Sequence, residues 1–173
     1  LTSLQLYAIF LDSCDALEVG SMDEALIDMS LVCACARALP PALRGVDVSS
    51  KHAVAAALQA HIIRETSCPV SIGAGANVLQ ARLATRRAKP GGVYVLDDVS
   101  AAAFVRTLRV DQLPGIGHAV RERLEEHLHS SNVGDILERV APAALARILG
   151  PRRGRMLWDK MHARDTAELQ GVR

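Results

Sequence analysis

Aromatic residues are scarce in this sequence: phenylalanine, tryptophan and tyrosine together make up 3% of its 173 residues. Half of the residues are apolar and 23% are charged, which is typical of a folded protein whose core is built from aliphatic side chains. No apolar stretch approaches the roughly 18 residues that a membrane helix needs. The first residues, LTSLQLYAIF, lack the basic segment of a secretion signal. We therefore expect an intracellular protein with no membrane partner.

A disulfide framework is also absent from the pattern. The four cysteines, Cys14, Cys33, Cys35 and Cys68, show no framework spacing, which is typical of buried thiols in a reducing compartment. Cys33-Ala-Cys35 has no second ligand pair at zinc spacing. We expect no zinc site there.

Charge is unevenly distributed along the chain, although its net value is only +1. Residues 1–36 contain six acidic residues and neither lysine nor arginine, whereas residues 66–96 contain four basic residues and no acid. The basic four are Arg82, Arg86, Arg87 and Lys89. An acidic segment and a basic strip in one core are suited to hold a cation and a polyanion together.

Hydrophobic spacing predicts a mixed arrangement of helices and strands over the first half. An amphipathic helix with Leu4, Ala8, Ile9 and Leu11 at helical spacing should open the chain. Two short strands, 16–19 and 24–29, should follow, joined by a turn at Gly20-Ser21. Further on we expect a helix over 51–64 capped by Ser49-Ser50, a buried strand over 69–75, a helix over 77–88 capped by Asn77, a turn over 89–92 and a strand over 93–96.

The pattern becomes purely helical after Asp97-Asp98. Helices are expected near 99–108, 118–128, 133–140, 142–149 and 152–163, with glycine or proline at the joints. We place a domain boundary near residues 97–100.

Asp23 and Glu24 fall at the tip of the predicted hairpin. Two adjacent carboxylates at a turn are free of the strand alternation and can converge on one ion, and Mg²⁺ is usually bound by one or two carboxylates plus substrate phosphates. The alternative is a solvated polar tip, which is common at turns and is the better explanation of this pair taken alone.

Lys89 ends a basic helix just before a Pro-Gly-Gly turn. A lysine in that place can direct a point charge at a phosphate. The alternative is that cations at the end of a helix only offset its dipole.

The segment LPGIGHAV (113–120) carries a more specific signal. Gly115-Ile116-Gly117 after a proline predicts a tight turn with outward-pointing N–H groups at a helix start, which is suited to a phosphate. Helix-turn-helix hairpins of this kind hold the DNA backbone without reading bases. A glycine-rich connection with no ligand is the alternative. The nearby His118, His127 and His129 lack a cysteine or an acid relay, so we expect them to face solvent or phosphate.

Taken in order, GSMDEALID, PVSIGAGAN, LQARLATRRAKPGGVYVL and LPGIG resemble the Y-family (DinB/UmuC-like) translesion DNA polymerases. The resemblance runs from about Leu6 to Asp165. Within the family, ATRRAKPGG, LPGIGH and GPRRGRMLW are most similar to the eukaryotic deoxycytidyl transferase branch.

The resemblance implies an α+β fold in which a partial polymerase palm, a small mixed sheet with helices, is followed by an all-helical thumb with a helix-hairpin-helix. Residues 1–97 would be the later half of the palm. Residues 98–168 would be the thumb, and residues 169–173 would start a linker.

The same resemblance implies site residues and ligands. Asp23 and Glu24 match the metal-binding and catalytic acidic pair, with two Mg²⁺ ions in the complete enzyme, and Lys89 matches the lysine that contacts the nucleotide triphosphate. Gly115, Ile116 and Gly117, with His118 beside them, match the hairpin that holds the DNA backbone. Primer-template DNA and an incoming deoxynucleotide, dCTP in the transferase branch, would be the partners. DNA damage bypass in the nucleus would be the setting, with other replication or bypass factors binding through other segments.

Departures from the family pattern lead to a further expectation. The Asp-x-Asp-x-Phe-Phe type strand and the fingers would precede Leu1, and the little finger would follow Arg173. Ala74 and Ala76 also differ from the usual residues of their segment. We therefore expect the chain to be part of an error-prone polymerase and inactive by itself. The alternatives are a DinB-type polymerase of broader nucleotide choice and a non-catalytic DNA-binding remnant.

Overall fold

Residues 2–34 and 39–171 are described by the computed structural model of the protein. Within them the helices are α1 (Thr2–Ser13), α2 (Ser30–Ala34), α3 (Lys51–Thr66), α4 (Val78–Ala88), α5 (Asp98–Arg106), α6 (His118–Leu128), α7 (Val133–Arg139), α8 (Pro142–Leu149) and α9 (Pro151–Met161). The strands are β1 (Ala16–Val19), β2 (Ala25–Asp28), β3 (Ile72–Ala74) and β4 (Val93–Val95). This arrangement confirms the predicted α+β class. Cys35, part of the discounted metal motif, lies outside the described residues.

The described strands form two separate pairs. β1 and β2 are antiparallel, with Ala16 opposite Asp28 and Val19 opposite Ala25, while β3 and β4 are parallel, with Ile72 opposite Val93. The expected small mixed sheet is thus divided into an antiparallel and a parallel half. Strands of three or four residues offer few ladder hydrogen bonds, so each pair depends on the helices packed around it.

The first of two compact units takes in the described residues within 1–74, 84–95 and 167–173. α3 is its central helix and contacts α1, β3 and β4. Ser50 caps α3, as predicted, because its side-chain oxygen accepts the N–H of Ala53 at 3.2 Å. The buried hydrophobic side chains of this unit are Leu17, Leu43, Val54, Ala55, Leu58, Ile62, Ala84 and Ala88.

The buried face of α1 differs from the expected one. Of the predicted set, Leu4 and Leu11 are 73% and 53% exposed and Ile9 is partly buried, whereas Ser13 is buried and Leu6 and Phe10 are partly buried. Positions 6, 10 and 13 recur at helical spacing as regularly as the predicted set does. Spacing alone therefore predicted the helix correctly but not the side that packs.

The strand expected over 69–75 is shorter and less buried than predicted. β3 covers Ile72–Ala74, and its residues are half-buried. Gly73 passes so close to α4 that an added Cβ would lie 2.0 Å from the backbone nitrogen of Thr85. Only glycine permits this approach, since real Cβ atoms do not come so near other atoms.

The second compact unit takes in residues 75–83 and 96–166 and is helical. Its core consists of aliphatic side chains from α4 to α9, listed here in chain order: Leu79, Leu83, Leu96, Ala101, Val105, Val110, Leu113, Ile116, Leu124, Val133, Ile136, Leu145, Leu149, Leu157, Met161 and Ala163. Asp97 caps α5 through a capping box with Ser100, which explains why the purely helical part begins there.

Gln80 is a polar residue in this core, only 2% exposed. Its Oε1 accepts the N–H of Ala76 at 2.8 Å, and its Nε2 donates to Asp98 Oδ1 at 2.9 Å and to the carbonyl of Ala163 at 3.2 Å. Asn77 caps α4, as predicted, by accepting the N–H of Gln80. The start of α4 is therefore tied to the start of α5 and to the turn after α9.

The segment before the LPGIG loop is a 3-10 turn, Val110–Gln112, and not an α-helix. The LPGIG loop and α6 are thus preceded directly by a 3-10 turn and not by an α-helix. The complete helix-hairpin-helix remains a prediction. Among the described residues, no helix is both long and apolar enough to cross a membrane.

Candidate functional site

The tip of the β1–β2 hairpin holds Asp23 and Glu24, as the sequence predicted. The carbonyl of Glu24 accepts the N–H groups of Gly20 at 2.8 Å and Ser21 at 3.1 Å. The hydroxyl of Tyr7 donates to the carbonyl of Ser21 at 2.6 Å. These hydrogen bonds hold the backbone of the tip from two sides. The backbone positions of Asp23 and Glu24 are therefore well defined.

The turn that carries Lys89 is anchored independently. Gln59 of α3 donates through Nε2 to the carbonyls of Val70 at 2.7 Å and Gly91 at 3.0 Å, and Gly91 N–H donates to Ser71 Oγ at 2.8 Å. Neither Gln59 nor Ser71 stood out in the sequence. Their role in holding the turn can be recognised only when the fold shows that α3, the segment before β3 and the turn are in contact.

Lys89 and Glu24 meet in space, although they lie 65 residues apart in sequence. Lys89 Nζ is 3.3 Å from Glu24 Oε1, and the two side chains are 57% and 65% exposed. The structure therefore brings together two of the three residues that the sequence assigned to catalysis and triphosphate binding. An exposed pair of this kind is weak and easily broken by a competing ion.

Asp23 has a different partner. Ser21 Oγ donates to Asp23 Oδ1 at 2.5 Å, and no cationic side chain pairs with Asp23 among the described residues. Both Asp23 and Glu24 are exposed, so their oxygens are accessible from solvent.

The acidic tip fits part of a magnesium site. Within the part of the chain that the structure describes, no group of three or more histidine, cysteine or acidic side chains is placed to hold a metal. Two carboxylates are nevertheless the number that Mg²⁺ takes from a protein when water and substrate phosphates supply the remaining ligands. The donor set therefore fits a hard divalent cation that is shared with a phosphate.

The base of the same hairpin is held by short-range polar contacts. Ser30 donates through its hydroxyl and its N–H to Asp28 Oδ1, at 2.6 and 2.9 Å. The Ser30 hydroxyl, followed by the Ser30 N–H, lowers the pKa of Asp28. Asp15 accepts the N–H groups of Leu31 and Val32, so this carboxylate caps α2.

The basic strip lies along α4. Arg82, Arg86 and Arg87 are exposed, while Leu79 and Leu83 are buried, as predicted. The guanidinium of Arg87 lies 5.8 Å from the ring centroid of Tyr94. Part of the strip is therefore engaged with the protein's own surface, in a cation–π contact.

The LPGIG loop buries its side chains and exposes its glycines. Leu113, Pro114 and Ile116 are buried, whereas Gly115 and Gly117 are exposed. Gly115 has a φ of +80°, which favours glycine, and an added Cβ at either glycine would meet nothing within 4 Å. The apolar side chains thus anchor the loop while its backbone remains open to a ligand.

α6 begins directly after this loop. Gly117 is its exposed N-cap residue and provides no side-chain cap, so no side chain of the cap position satisfies the first N–H groups of the helix. His118 lies beside them, with Nδ1 3.2 Å from Glu122 Oε1 and Nε2 2.5 Å from Arg121 Nη2. His127 and His129 are exposed, which is consistent with the solvent-facing role expected for them.

A pocket of about 280 Å³ adjoins the loop in the same unit. Arg153, near the start of α9, lines it together with the loop residues Gly115 to Gly117 and with Ala119 and Met156. Arg153 was not singled out in the sequence, because GPRRGR places three arginines close together and only the fold shows which one faces the loop.

Comparison with known proteins decides the family. Residues 2–86 match the model of the impB/mucB/samB family. Over 168 residues the chain is 29% identical to the DNA repair protein REV1 of Arabidopsis thaliana, covering 97% of this chain and 14% of that protein. Over 163 residues it is 31% identical to DNA polymerase IV of Alkalilimnicola ehrlichii, covering 94% of this chain and 42% of that protein.

The chain belongs to the Y family of DNA polymerases. The family resemblance read from the motifs is thereby confirmed. The chain spans less than half of the length of each of these two relatives.

A solved Y-family structure has the same fold. The ternary complex of Dbh superimposes with a TM-score of 0.74 at 22% identity, covering 98% of this chain and 47% of that one. At this identity the likeness supports the fold and not the role of any residue.

Proposed function

We propose that this chain forms the catalytic acidic site and a DNA-holding element of an error-prone translesion polymerase that acts in DNA damage bypass and repair. The observation that carries the proposal is the meeting of Glu24 and Lys89 beside Asp23, in a chain of the Y family. The hairpin tip supplies carboxylates for a metal, and the turn after α4 supplies a cation for a triphosphate. Nucleotidyl transfer requires the negative charge that binds the metal ion and the positive charge that binds the triphosphate to lie close together.

The metal chemistry follows from the acidic pair. Asp23 and Glu24 would hold Mg²⁺, which in two-ion sites stabilises the attacking and leaving oxygens of an in-line displacement. Lys89 would bind the triphosphate as a point charge. The reaction is attack of a primer 3′-hydroxyl on the α-phosphorus of a deoxynucleotide, with pyrophosphate leaving.

The second unit would hold primer-template DNA. Gly115, Ile116 and Gly117 offer an exposed backbone on a buried apolar anchor, and His118 stands at the helix start. N–H groups at such a place bind phosphate oxygens without reading sequence. The complex of Dbh, described as ternary, is a fold neighbour that supports DNA and substrate as partners.

Nucleotide choice separates two versions of this function. Similarity to REV1 favours a nuclear deoxycytidyl transferase that inserts dCTP, while similarity to DNA polymerase IV favours a bypass polymerase of broader choice. Single-nucleotide insertion by a longer protein that contains this chain, opposite guanine and opposite an abasic site, distinguishes them. A strong dCTP preference supports the transferase, and equal use of four nucleotides contradicts it.

The catalytic role is tested by two conservative variants of the longer protein, Asp23→Asn and Glu24→Gln. We expect single-turnover incorporation to fall by a factor of about 10² or more, since metal-bound charge stabilises the transition state by several kcal/mol. Primer-template affinity, measured by fluorescence anisotropy, should change by less than about threefold.

Asp12→Asn is the matched control, because Asp12 is an exposed acid of α1 with no assigned role. Normal incorporation by Asp23→Asn or Glu24→Gln would contradict the catalytic assignment. Equal loss of incorporation and DNA binding would show that the two acids are structural, and would favour a DNA-binding remnant.

A further inference from the structure

The ion pair between Lys89 and Glu24 connects two residues for which the proposed function requires different ligands. Glu24 would bind a divalent metal, and Lys89 would bind a triphosphate. In the structure they bind each other, with Nζ and Oε1 separated by 3.3 Å. The carboxylate oxygen closest to the lysine is therefore not free for a metal until the ammonium leaves.

The contact is built by two separately anchored backbone segments. Glu24 is held through its own carbonyl, which accepts two N–H groups of the hairpin tip. The lysine turn is held by Gln59 and Ser71. Because both backbones are fixed without the ion pair, its rupture requires only rotation of two exposed side chains.

We propose that Lys89 is the resident counterion of Glu24 and competes with a divalent metal ion for its carboxylate, until the triphosphate of a nucleotide draws the ammonium away. The inference rests on the proposed function, in which Glu24 is a metal ligand. A metal ion arriving alone must displace a cation. A metal ion arriving with a triphosphate does not, because the phosphate oxygens provide Lys89 with a new partner.

Exposure sets the size of the effect. Lys89 and Glu24 are 57% and 65% exposed, so their attraction is that of a surface pair. Neutralising Lys89 should therefore raise metal affinity in the absence of nucleotide by a factor of about 1.5 to 5. The gain should shrink in high salt, because exposed charges are screened.

The test is a Mn²⁺ titration of the 173-residue chain without nucleotide, in which electron paramagnetic resonance measures free Mn²⁺. Lys89→Gln should bind Mn²⁺ about 1.5 to 5 times more tightly than the unmodified chain, whereas Lys89→Arg, which keeps the charge, should not. Lys51→Gln is the control for net charge, since Lys51 is an exposed lysine at the start of α3. A Lys89→Gln variant that binds Mn²⁺ no more tightly than Lys51→Gln overturns the proposal.

Two further variants separate failure of this inference from failure of the proposed function. Glu24→Gln should weaken Mn²⁺ binding, and an unchanged affinity would instead reject Glu24 as a metal ligand. In the double variant Glu24→Gln/Lys89→Gln, the second change should no longer raise the affinity. A persistent gain would show that Lys89 acts through general charge and not through this pair, which also overturns the proposal.

Discussion

Gln80 is the residue whose replacement tests the packing of the second unit most sharply. Gln80→Met keeps the length and most of the volume of the side chain but removes its three hydrogen bonds, to the Ala76 N–H, the Asp98 carboxylate and the Ala163 carbonyl. Asn77 still donates to Ala163, so the carbonyl keeps one partner. The Ala76 N–H and the Asp98 carboxylate lose theirs.

The cost of Gln80→Met follows from these contacts. Each hydrogen bond contributes about 0.5–1.5 kcal/mol, and the one to a carboxylate is at the upper end. Part of the loss is offset by burial of the methionine side chain, which leaves an expected destabilisation of about 2–4 kcal/mol. At about 2–4 °C per kcal/mol for a chain of this size, the melting temperature should fall by roughly 5–15 °C.

Thermal unfolding followed by circular dichroism measures this shift, with hydrogen exchange at the Ala76 amide as a local readout. Gln5→Met is the matched control, because Gln5 is exposed on α1 and its replacement should change stability by less than about 0.5 kcal/mol. If Gln80→Met melts within 2 °C of the unmodified chain, or the Ala76 amide stays equally protected, the buried amide does not connect these segments as described.

Three other outcomes are expected. Gly115→Ala should lower stability by about 1–2 kcal/mol because alanine is strained at a φ of +80°, whereas Gly117→Ala adds a methyl group in open space and should chiefly weaken DNA binding, which melting and anisotropy separate. Ser30→Ala removes the hydroxyl that lowers the pKa of Asp28, so its stability deficit should be full near pH 7 and shrink as pH falls below the ordinary carboxyl pKa and through the lowered one; the difference in melting temperature should therefore be smaller at pH 3 than at pH 7. The 173-residue chain alone should not extend a primer with Mg²⁺ and deoxynucleotides, and extension abolished by Asp23→Ala would refute that.

Local signals predicted most of the helices. Helices α6 and α8 cover 118–128 and 142–149, the ranges expected from spacing and from glycine and proline at the joints. Asn77 and Ser50 cap helices as their residue types indicate. The five-residue α2 was not predicted, because a single turn leaves too little periodicity to detect.

The sequence was least informative where tertiary contacts determine which residues are buried and how long a strand is. Leu4 and Leu11 of the apolar set predicted for α1 are exposed, since a second set of positions with similar spacing competes with it on that helix. β3 is shorter than its apolar run, and the close approach of Gly73 to Thr85 of α4 is a tertiary contact that the run does not reveal. The local sequence pattern predicts neither the packed side of α1 nor the approach of Gly73 to α4.

The candidate site shows the same division. Asp23, Glu24 and Lys89 were predicted as site residues from residue type, position at turns and family resemblance. The Lys89–Glu24 contact was not, because it joins segments 65 residues apart. Gln59 and Arg153 were missed for the same reason. Their residue types are common, and only the fold shows that Gln59 holds the lysine turn and that Arg153 lines the pocket beside the LPGIG loop.

Direct ligation of the catalytic metal by Asp23 is the central claim, and a switch of metal preference tests it. In the longer protein, Asp23→Cys replaces a hard oxygen ligand with a soft thiolate, which disfavours Mg²⁺ and favours thiophilic ions such as Cd²⁺. Single-turnover incorporation by this variant should be lost with Mg²⁺ and recover by at least about tenfold when Cd²⁺ is added, while Asp23→Ala should not recover. Full activity of Asp23→Cys with Mg²⁺, or equal rescue of Asp23→Ala, would contradict the claim.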